Sequence, residues 1–493
     1  MESDCFANFR KNIIGLEQTF LTANGDVKKM IYADWTASGR GYLPIEKVIQ
    51  EKFLPFVANT HTDTNTSGSC MTYAYHKAQS IIKKHVNANQ DDILISSHSG
   101  MTGVTNKLQR ILGLRIHEKH QKQIQIAEND RPIIFITHME HHSNHTSWLE
   151  SIGDVEIIAP DNAGLPDLVH FQSLLEKYNT RTTKIAAVTS CSNVTGVFTP
   201  YYAIAKLIHS YNGFCFVDFA CAAPYVDINM HPEDKDSYLD AIYFSPHKFL
   251  GGPGSSGILV FNKRLYANTI PDEPGGGTVD WTNPWGQHKY IDDIEAREDG
   301  GTPAFLQTIR VALCIQLKEE MGVQRMMEKE EVLLDIAWKK LSTIPNLHLL
   351  APHQKKRLAI LSFYIDDLHY NLGVKMLNDK FGIQARGGCS CAGTYGHYLL
   401  NVSEDISKDI TDSISSGDNS KKPGWIRVSL HPTMTEEEVL YIANSIQTLA
   451  EQFPLWTNEY TFNRTKNVVL CKDTTEDTFV IDYINQCFSH SMS

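Results

Sequence analysis

A chain of 493 residues, 42% of them hydrophobic and 21% charged, has the composition of an ordinary folded protein with room for two or three structural units. Its 45 basic and 57 acidic residues give a net charge of -12, which argues against a nucleic-acid or anionic-membrane partner. The ten cysteines have scattered spacings, residues 1–11 lack the apolar core of a secretory signal, and no apolar run is long enough to span a bilayer. We expect a cytoplasmic protein; the alternative is a secreted chain whose signal has been removed.

The first part of the chain alternates short apolar runs with helical stretches. This pattern predicts βαβ units and a mostly parallel sheet, whose ligand site is built by the loops that follow the strands. The predicted strands are 93–95, 133–136, 155–158, 185–188, 214–217, 242–244 and 258–261, and the predicted helices include 104–112, 165–178 and 202–211.

After residue 300 the pattern changes to that of a smaller α+β domain. Residues 304–342 are helix-rich, and apolar runs at 358–363 and 426–430 flank a helix near 374–381. The polar residues 403–423 are predicted to be a surface loop or insertion. Thr435 and Glu438 form a capping-box pattern at the start of a helix over 435–452. The predicted organisation is an N-terminal segment 1–30, a large domain 31–300, a small domain 301–452 and a tail 453–493 without a clear period.

A lysine follows the strand predicted at 242–244. Ser245, His247 and Lys248 precede a glycine-rich turn. A lysine that attacks an aldehyde must be partly neutral, and a strand end near cationic or desolvating groups favours that state. Ser245 and His247 could hold a phosphate beside it. The alternative is an ordinary surface lysine in a flexible loop.

Two further elements are consistent with a bound cofactor. Asp218 ends a buried apolar run, where a carboxylate must be paired; its partner could be a pyridinium nitrogen or Mg²⁺. The chain lacks the Gly-x-x-x-x-Gly-Lys-Ser/Thr phosphate loop that would favour Mg²⁺. Gly100 and Thr102 follow the first predicted strand and could open a helix whose amides suit a phosphate, although such helix starts are common.

Residues 137–145 contain four histidines. His141 and His145 lie four apart and could share a metal on a helix. Two histidines are too few for a zinc site, however, and an imidazole stacked on a cofactor ring serves equally well. We therefore expect no metal.

Together these elements resemble the aminotransferase class V family over residues 30–450, in particular its cysteine desulfurase and selenocysteine lyase branch (group II). The resemblance implies an α/β protein of the pyridoxal 5′-phosphate (PLP)-dependent transferase fold type I, with a mostly parallel large domain and a smaller α+β C-terminal domain. It also implies a homodimer. The residues that it assigns to the cofactor are Lys248 as the Schiff-base lysine, Asp218 and Ala220 as the family's Asp-x-Ala, His141 stacked on the ring, Asn193 near the ring hydroxyl, and Thr302 at the phosphate of the neighbouring subunit. Ser245 and His247 match the family's Ser-x-His-Lys, and with Gly100 and Thr102 they are the candidates to bind the phosphate.

The resemblance extends into the small domain. Arg386-Gly-Gly-Cys-Ser-Cys-Ala392 is similar to the family's Arg-x-Gly-x-x-Cys-Ala, which implies that Cys391 is the sulfur-accepting nucleophile and that Arg386 lies near the substrate carboxylate. Trp425-Ile-Arg-Val-Ser429 is similar to the family's later Arg-x-Ser, so Arg427 becomes the main clamp for the carboxylate of an amino-acid substrate. A sulfur-acceptor protein would be a further partner.

The sequence departs from the family at several positions. Cys221 stands where the family usually has Gln, and Cys389-Ser390 stand where His-His is common. Three functions therefore remain open. The first is desulfuration of a cysteine-like amino acid through a Cys391 persulfide, with Cys389 as a resolving thiol. The second is another class V reaction without a persulfide: transamination, racemisation or carbon–sulfur cleavage. The third is a cofactor-free scaffold or binding protein, against which Lys248 and Asp218 argue.

Overall fold

The computed structural model describes residues 5–23, 25–60, 62–121, 123–472 and 478–489. The chain forms two compact units. The larger unit consists of residues 37–192 and 197–327, and the smaller unit consists of residues 1–36, 193–196 and 328–493.

These units divide the chain differently from the predicted domains. The helix Phe305–Met321 belongs to the larger unit, because Ile309 and Ala312 pack with Ala78 of the helix Thr66–His85 in a common apolar cluster. Residues 31–32 belong to the smaller unit, where they form a parallel strand pair with residues 383–384. A boundary read from composition at residue 300 cannot anticipate such packing partners, which are distant in sequence.

A seven-stranded sheet forms the centre of the larger unit, and all seven predicted strands are present in it. The strand Gly257–Asn262 runs antiparallel to both of its neighbours, and the remaining neighbours pair in parallel. The predicted mostly parallel sheet is therefore confirmed. In spatial order its strands are Asp92–Ser97, Gly257–Asn262, Ala241–Phe244, Phe214–Asp218, Lys184–Thr189, Ile133–Thr137 and Asp154–Ile158.

Helices of the larger unit bury apolar side chains, such as Val104, Leu108 and Trp148, in one core with residues of the sheet. The helix predicted from residue 165 begins later, at Leu168, because Asp167 caps it by accepting hydrogen bonds from Val169 N and His170 N. The α-helices are Leu43–Val48, Thr66–His85, Gly100–Ile111, Glu118–Gln121, His142–Leu149, Leu168–Lys177, Tyr201–His209, Ile294–Arg297 and Phe305–Met321. The short 3₁₀ or π turns are Ile49–Phe53, Leu54–Phe56, Glu128–Asp130, Pro246–Lys248 and Lys263–Leu265. The strands Val279–Thr282 and His288–Tyr290 form a hairpin.

The smaller unit contains an antiparallel sheet of four strands, in the order Leu347–Leu349, Ile360–Ile365, Trp425–Ser429 and Arg386–Gly388. The predicted α+β character is thus present. Its other strands pair as Ile31–Tyr32 with Ile383–Gln384, Thr19–Leu21 with Val27–Lys29, and Tyr460–Asn463 with Val468–Cys471. Its α-helices are Ala7–Arg10, Tyr370–Phe381, Gly393–Leu399, Glu404–Ser415, Glu436–Trp456 and Thr478–Ser489, and it has one short 3₁₀ turn among the described residues, Thr457–Glu459. The helix Val323–Leu341 includes the position in the sequence where the larger unit ends and the smaller unit continues.

The prediction of a loop over 403–423 is wrong for its first half, which is the helix Glu404–Ser415. Ser403 caps this helix by accepting a hydrogen bond from Ile406 N at 3.3 Å, and acidic residues occupy its first turn. The tail also has structure: a hairpin over 460–471 and a helix over 478–489, whereas residues 473–477 and 490–493 lie outside the described residues. The predicted cap is confirmed, since Thr435 Oγ1 accepts a hydrogen bond from Glu438 N. None of the helices in the described part of the chain combines the length and apolar character that a membrane span requires.

Candidate active site

Lys248 lies directly beyond the carboxyl end of the strand Ala241–Phe244, on the single 3₁₀ turn Pro246–Lys248. The Lys248 amide donates a hydrogen bond to Ser245 O at 3.1 Å, which closes the turn. Gly252 permits close packing here, because a Cβ at that position would lie 2.0 Å from Pro246 O. The half-buried Lys248 is thereby held beyond the carboxyl ends of the strands, where ligand sites of such folds occur.

Asp218 ends the neighbouring strand, and its residue partner in the register is Tyr243. The residue is 3% exposed, and its Oδ1 accepts a hydrogen bond from Ala220 N at 2.7 Å. Burial raises the pKa of Asp218 to about 6, whereas the Ala220 amide and the positive charge of Lys248 act in the opposite direction. A buried carboxylate in this position suits a cationic N–H group of a ligand.

Hydroxyl groups and a helix start lie close together at the same sheet edge. The helix Gly100–Ile111 begins with Gly100 in the left-handed region, at a φ of +62°. Ser245 Oγ accepts a hydrogen bond from Met101 N at 3.1 Å, and Thr102 Oγ1 lies 2.7 Å from Ser143 Oγ. Amides at a helix start together with hydroxyl groups suit an anion such as a phosphate.

His141 caps the helix His142–Leu149, since its Nδ1 accepts a hydrogen bond from Ser143 N at 3.1 Å. In the neutral ring the proton therefore lies on Nε2. The imidazole is half-buried and is fixed in orientation by this bond. Among the described residues, no group of three or more His, Cys, Asp or Glu side chains is arranged to hold a metal ion.

A buried hydrogen-bond network, to which the sequence analysis assigned no role, adjoins these residues. Glu140 Oε1 accepts hydrogen bonds from Thr137 Oγ1 at 2.6 Å and Thr189 N at 2.9 Å, and Glu140 Oε2 accepts one from Asn144 Nδ2 at 2.7 Å. Asn144 Oδ1 in turn accepts one from Tyr243 OH at 2.6 Å. Burial raises the pKa of Glu140 to about 8, although the same donors act to lower it. The spacing of Glu140 and Asn144, four residues apart, was the available sequence signal.

Three other predicted residues belong to the larger unit. His247 Nδ1 lies 3.4 Å from Ser38 Oγ, and burial, with a smaller contribution from Lys248, lowers the pKa of His247 to about 4, so the imidazole is neutral at pH 7. Cys221 is buried, and its Sγ donates to Ser192 O at 3.7 Å. Thr302 is exposed.

The segment that precedes Thr302 is anchored by Tyr75, which is not among the predicted site residues. Tyr75 is buried and donates a hydrogen bond to Asp299 Oδ2 at 2.7 Å. The backbone near Thr302 is therefore held to the helix Thr66–His85.

In the smaller unit, Arg427 occupies a central strand and is 1% exposed. Its Nη2 donates to Asp34 Oδ1 at 2.6 Å, and its Nη1 donates to Asn193 O at 3.0 Å. Arg386 lies directly opposite Arg427 on the adjacent antiparallel strand. Sequence reasoning identified both arginines and missed Asp34, which has no local signal.

Cys391 belongs to the loop that follows the strand Arg386–Gly388, and its Sγ lies 3.7 Å from Arg386 Nη2. Ser390 and Cys391 both adopt left-handed backbone conformations, with φ of 53° and 58°, which are costly for residues other than glycine. Asn193 Nδ2 donates to Ser390 O at 2.8 Å. The smaller unit thus brings Asn193, Arg386, Cys391 and Arg427 together, whereas the other predicted site residues belong to the larger unit.

The fold and these residues define an α/β protein of the PLP-dependent transferase fold type I. The sequence profile of the aminotransferase class V family matches residues 31–442, and the chain belongs to this family.

Relatives of known name are similar over most of their length. The chain is 26% identical over 395 residues to a probable cysteine desulfurase of Staphylococcus epidermidis, with 77% of this chain and 90% of the relative covered. A cysteine desulfurase from Thermococcus onnurineus NA1 superposes with a TM-score of 0.72 at 22% identity, covering 90% of this chain and 98% of that one. The cysteine desulfurase CsdA of Escherichia coli superposes with a TM-score of 0.69 at 19% identity, covering 91% and 98%.

The residues of the larger unit suit pyridoxal 5′-phosphate, the cofactor of this family. The molecule carries an aldehyde, a basic ring nitrogen and a phosphate, and the unit offers a chemical counterpart for each. Lys248 supplies an amine, Asp218 supplies a buried carboxylate, and Gly100 and Thr102 supply the helix start with its hydroxyl group.

Proposed function

We propose that the protein is a PLP-dependent cysteine desulfurase, which removes sulfur from a cysteine-like amino acid and accepts it on Cys391. The observation that carries this proposal is the Cys391 thiol, 3.7 Å from Arg386 Nη2, in a loop that Asn193 holds beside Arg427. A thiol beside the Arg386 guanidinium, in a loop linked through Asn193 to Arg427, suits a substrate that has a carboxylate and a reactive sulfur. The names of the relatives agree with this assignment.

The cofactor, when bound, supplies an aldehyde that condenses with amines and a ring that withdraws electrons. Lys248 is proposed to hold it covalently and then to move a proton at the α-carbon of the substrate. Asp218 is proposed to keep the ring nitrogen protonated, and His141, fixed through Nδ1, to lie against the ring. Gly100, Thr102, Ser245 and His247 would surround the phosphate.

Arg386 and Arg427 are proposed to bind the carboxylate of the substrate, which orients its sulfur. Cys391 Sγ, as the thiolate, forms a bond to that sulfur while the substrate carbon–sulfur bond breaks. The electron pair of the breaking bond stays with the carbon fragment. After protonation the products are alanine, when cysteine is the substrate, and a persulfide on Cys391. Cys389 is proposed to pass the sulfur onward to an acceptor, for which a protein is one candidate.

We also propose a cytoplasmic homodimer to which Thr302 contributes at the partner's phosphate site. The exposed position of Thr302 is compatible with that role. Light scattering of the cofactor-loaded protein should give twice the mass of one chain. An active, loaded monomer would contradict it.

The function is tested by incubating cofactor-loaded protein with cysteine and a thiol reductant, which cleaves the persulfide, and measuring alanine and sulfide. Wild type should release both, Cys391→Ala neither, and Cys389→Ala should form alanine at the normal rate in the first turnover but transfer sulfur slowly. β-Chloroalanine serves as a control substrate, because chloride leaves without a thiol acceptor; Cys391→Ala should process it as wild type does. Equal sulfide release by wild type and Cys391→Ala would instead identify a carbon–sulfur lyase without a persulfide.

A further inference from the structure

Two arginines face each other across the small sheet. Arg386 and Arg427 are direct partners on adjacent antiparallel strands, so their side chains project from the same face, with Cβ atoms about 5 Å apart. Arg427 is 1% exposed, and Arg386 is half-buried. Like charges directly opposite one another destabilise a sheet, and more so where water is excluded. The arrangement therefore requires a compensating negative charge.

Asp34 provides that charge from the N-terminal segment. Ser429 N donates to Ala33 O at 2.8 Å, and Thr36 N donates to Ser429 Oγ at 2.9 Å, so the backbone on both sides of Asp34 is attached to the end of the Arg427 strand. The Asp34 and Arg427 side chains, which are 17% and 2% exposed, form a charge-assisted hydrogen bond of 2.6 Å. The position of Asp34 is thus set by three contacts with one strand.

The guanidinium of Arg427 is fixed from two sides and still has unused hydrogen-bonding capacity. Asp34 binds Nη2, and Asn193 O binds Nη1. Within the described part of the chain, the buried Arg427 Nε and Asn193 Oδ1 have no hydrogen-bond partner. Buried polar atoms without partners are rare in folded proteins and indicate a site for a bound group. With Cys391 as the neutral thiol, the two guanidinium groups and one carboxylate leave this site with one net positive charge.

Building on the proposed function, we propose that Asp34 is a positioning residue that sets the charge specificity of this site. It orients Arg427 and cancels one of the two arginine charges, so that the site is balanced by the single α-carboxylate of a cysteine-like amino acid. Without Asp34, the site would carry two positive charges and would favour anionic ligands more strongly.

A purely structural role for Asp34, as the counter-charge that a buried arginine needs, predicts a different result. The Asp34→Asn variant separates the two, because the amide oxygen can still accept the hydrogen bond from Arg427 while the negative charge is removed. A structural counter-charge would affect stability and would leave the discrimination between charged and neutral ligands unchanged.

The test is calorimetric titration of the cofactor-loaded protein with 3-(methylthio)propionate and with its neutral amide, which has nearly the same shape and lacks the charge. Asp34→Asn should bind the acid on the order of tenfold more tightly than wild type does and the amide equally well. Arg386→Gln should bind the acid on the order of tenfold more weakly. The double variant has the net charge of the wild type and should return close to wild-type affinity.

Unchanged or weaker binding of the acid by Asp34→Asn, relative to the amide, would overturn the proposal. If that variant does not fold, the double variant decides: an affinity equal to that of Arg386→Gln alone would also overturn it. Failure of the wild type to bind the acid also refutes the proposed role of Asp34. Alanine release from cysteine by the same preparation then shows whether the proposed desulfurase function still stands.

Discussion

Each unit of the molecule buries one charge that the proposed reaction uses, and the two charges are compensated differently. In the larger unit, Asp218 accepts a backbone hydrogen bond and experiences the field of Lys248, and burial still raises its pKa to about 6. In the smaller unit, Arg427 is bonded to the carboxylate of Asp34 at 2.6 Å. Under the proposed function, the charge of Asp218 would be balanced by a cation on the cofactor, whereas the charge of Arg427 is balanced within the chain.

The Glu140 network and the Cys391 loop also differ in how completely their polar atoms are satisfied. In the larger unit, Glu140, Asn144 and Tyr243 form a buried network in which both carboxylate oxygens have donors. In the smaller unit, the Ser390 Oγ atom is buried without a partner among the described residues, and Ser390 and Cys391 have left-handed backbones. A satisfied network suits a rigid cofactor platform, and a strained loop suits a nucleophile that must move.

The largest expected effect tests the cofactor platform itself. Replacing Lys248 by Ala should lower turnover by about three orders of magnitude, or ~4 kcal/mol, because both the covalent attachment and the proton carrier are lost. Borohydride reduction of the loaded wild type followed by peptide mapping should label Lys248. Lys263→Ala is a matched control, since the Lys263 amine pairs at the surface with Asp91 at 2.7 Å. A label on any other lysine would refute the assignment.

A smaller effect tests whether Asp218 needs a cation from outside the chain. The pKa of Asp218 is raised from 3.8 to about 6 in the folded protein. The contribution of Asp218 to the free energy of unfolding is therefore fully present below about pH 4 and is lost as the pH rises through 6. Cofactor-free wild type should therefore lose about 2 kcal/mol more stability between pH 4 and pH 7 than Asp218→Asn does. Denaturant unfolding of both proteins at several pH values measures this difference.

Addition of the cofactor should remove that difference, because a ring N–H cation would stabilise the ionised Asp218. Glu140 is present in both proteins; burial raises its pKa to about 8 in the wild type, with a small contribution from Asp218, so the two profiles are compared below pH 7. Parallel pH profiles of cofactor-free wild type and Asp218→Asn would show that Asp218 is compensated within the chain, as Arg427 is.

The smallest expected effect tests the strain in the smaller unit. Ser390→Gly should stabilise the protein by about 1 kcal/mol, because glycine adopts a left-handed backbone without strain and the substitution removes a buried hydroxyl. Thermal unfolding measures the change. In the larger unit, Tyr243→Phe should destabilise by about 1 kcal/mol, since it removes a donor from a satisfied network. Destabilisation by both substitutions would mean that the Ser390 loop is not strained.

The sequence by itself determined the features that depend on local pattern. Seven apolar runs predicted seven strands, because a strand buried on both faces must be apolar along its length. Asp218 was singled out because it follows such a run directly, and Lys248 because it lies four residues after the end of another. The helix over 404–415 was missed because its composition is polar, although Ser403 and the spacing of Ile406, Ile410 and Ile414 were signals for it.

Only the tertiary structure decided how residues that are distant in the chain are combined. Asp34 and Arg427 are 393 positions apart, and nothing in the local sequence of either identifies the other. The same holds for Asn193, which the resemblance assigned to the cofactor ring and which bonds to Ser390 and Arg427 in the smaller unit. The periodicity of apolar residues encodes which side of a helix or strand is buried. The pairing of strands and of charged residues depends instead on the packing of the whole unit, because a buried charge requires an oppositely charged residue beside it.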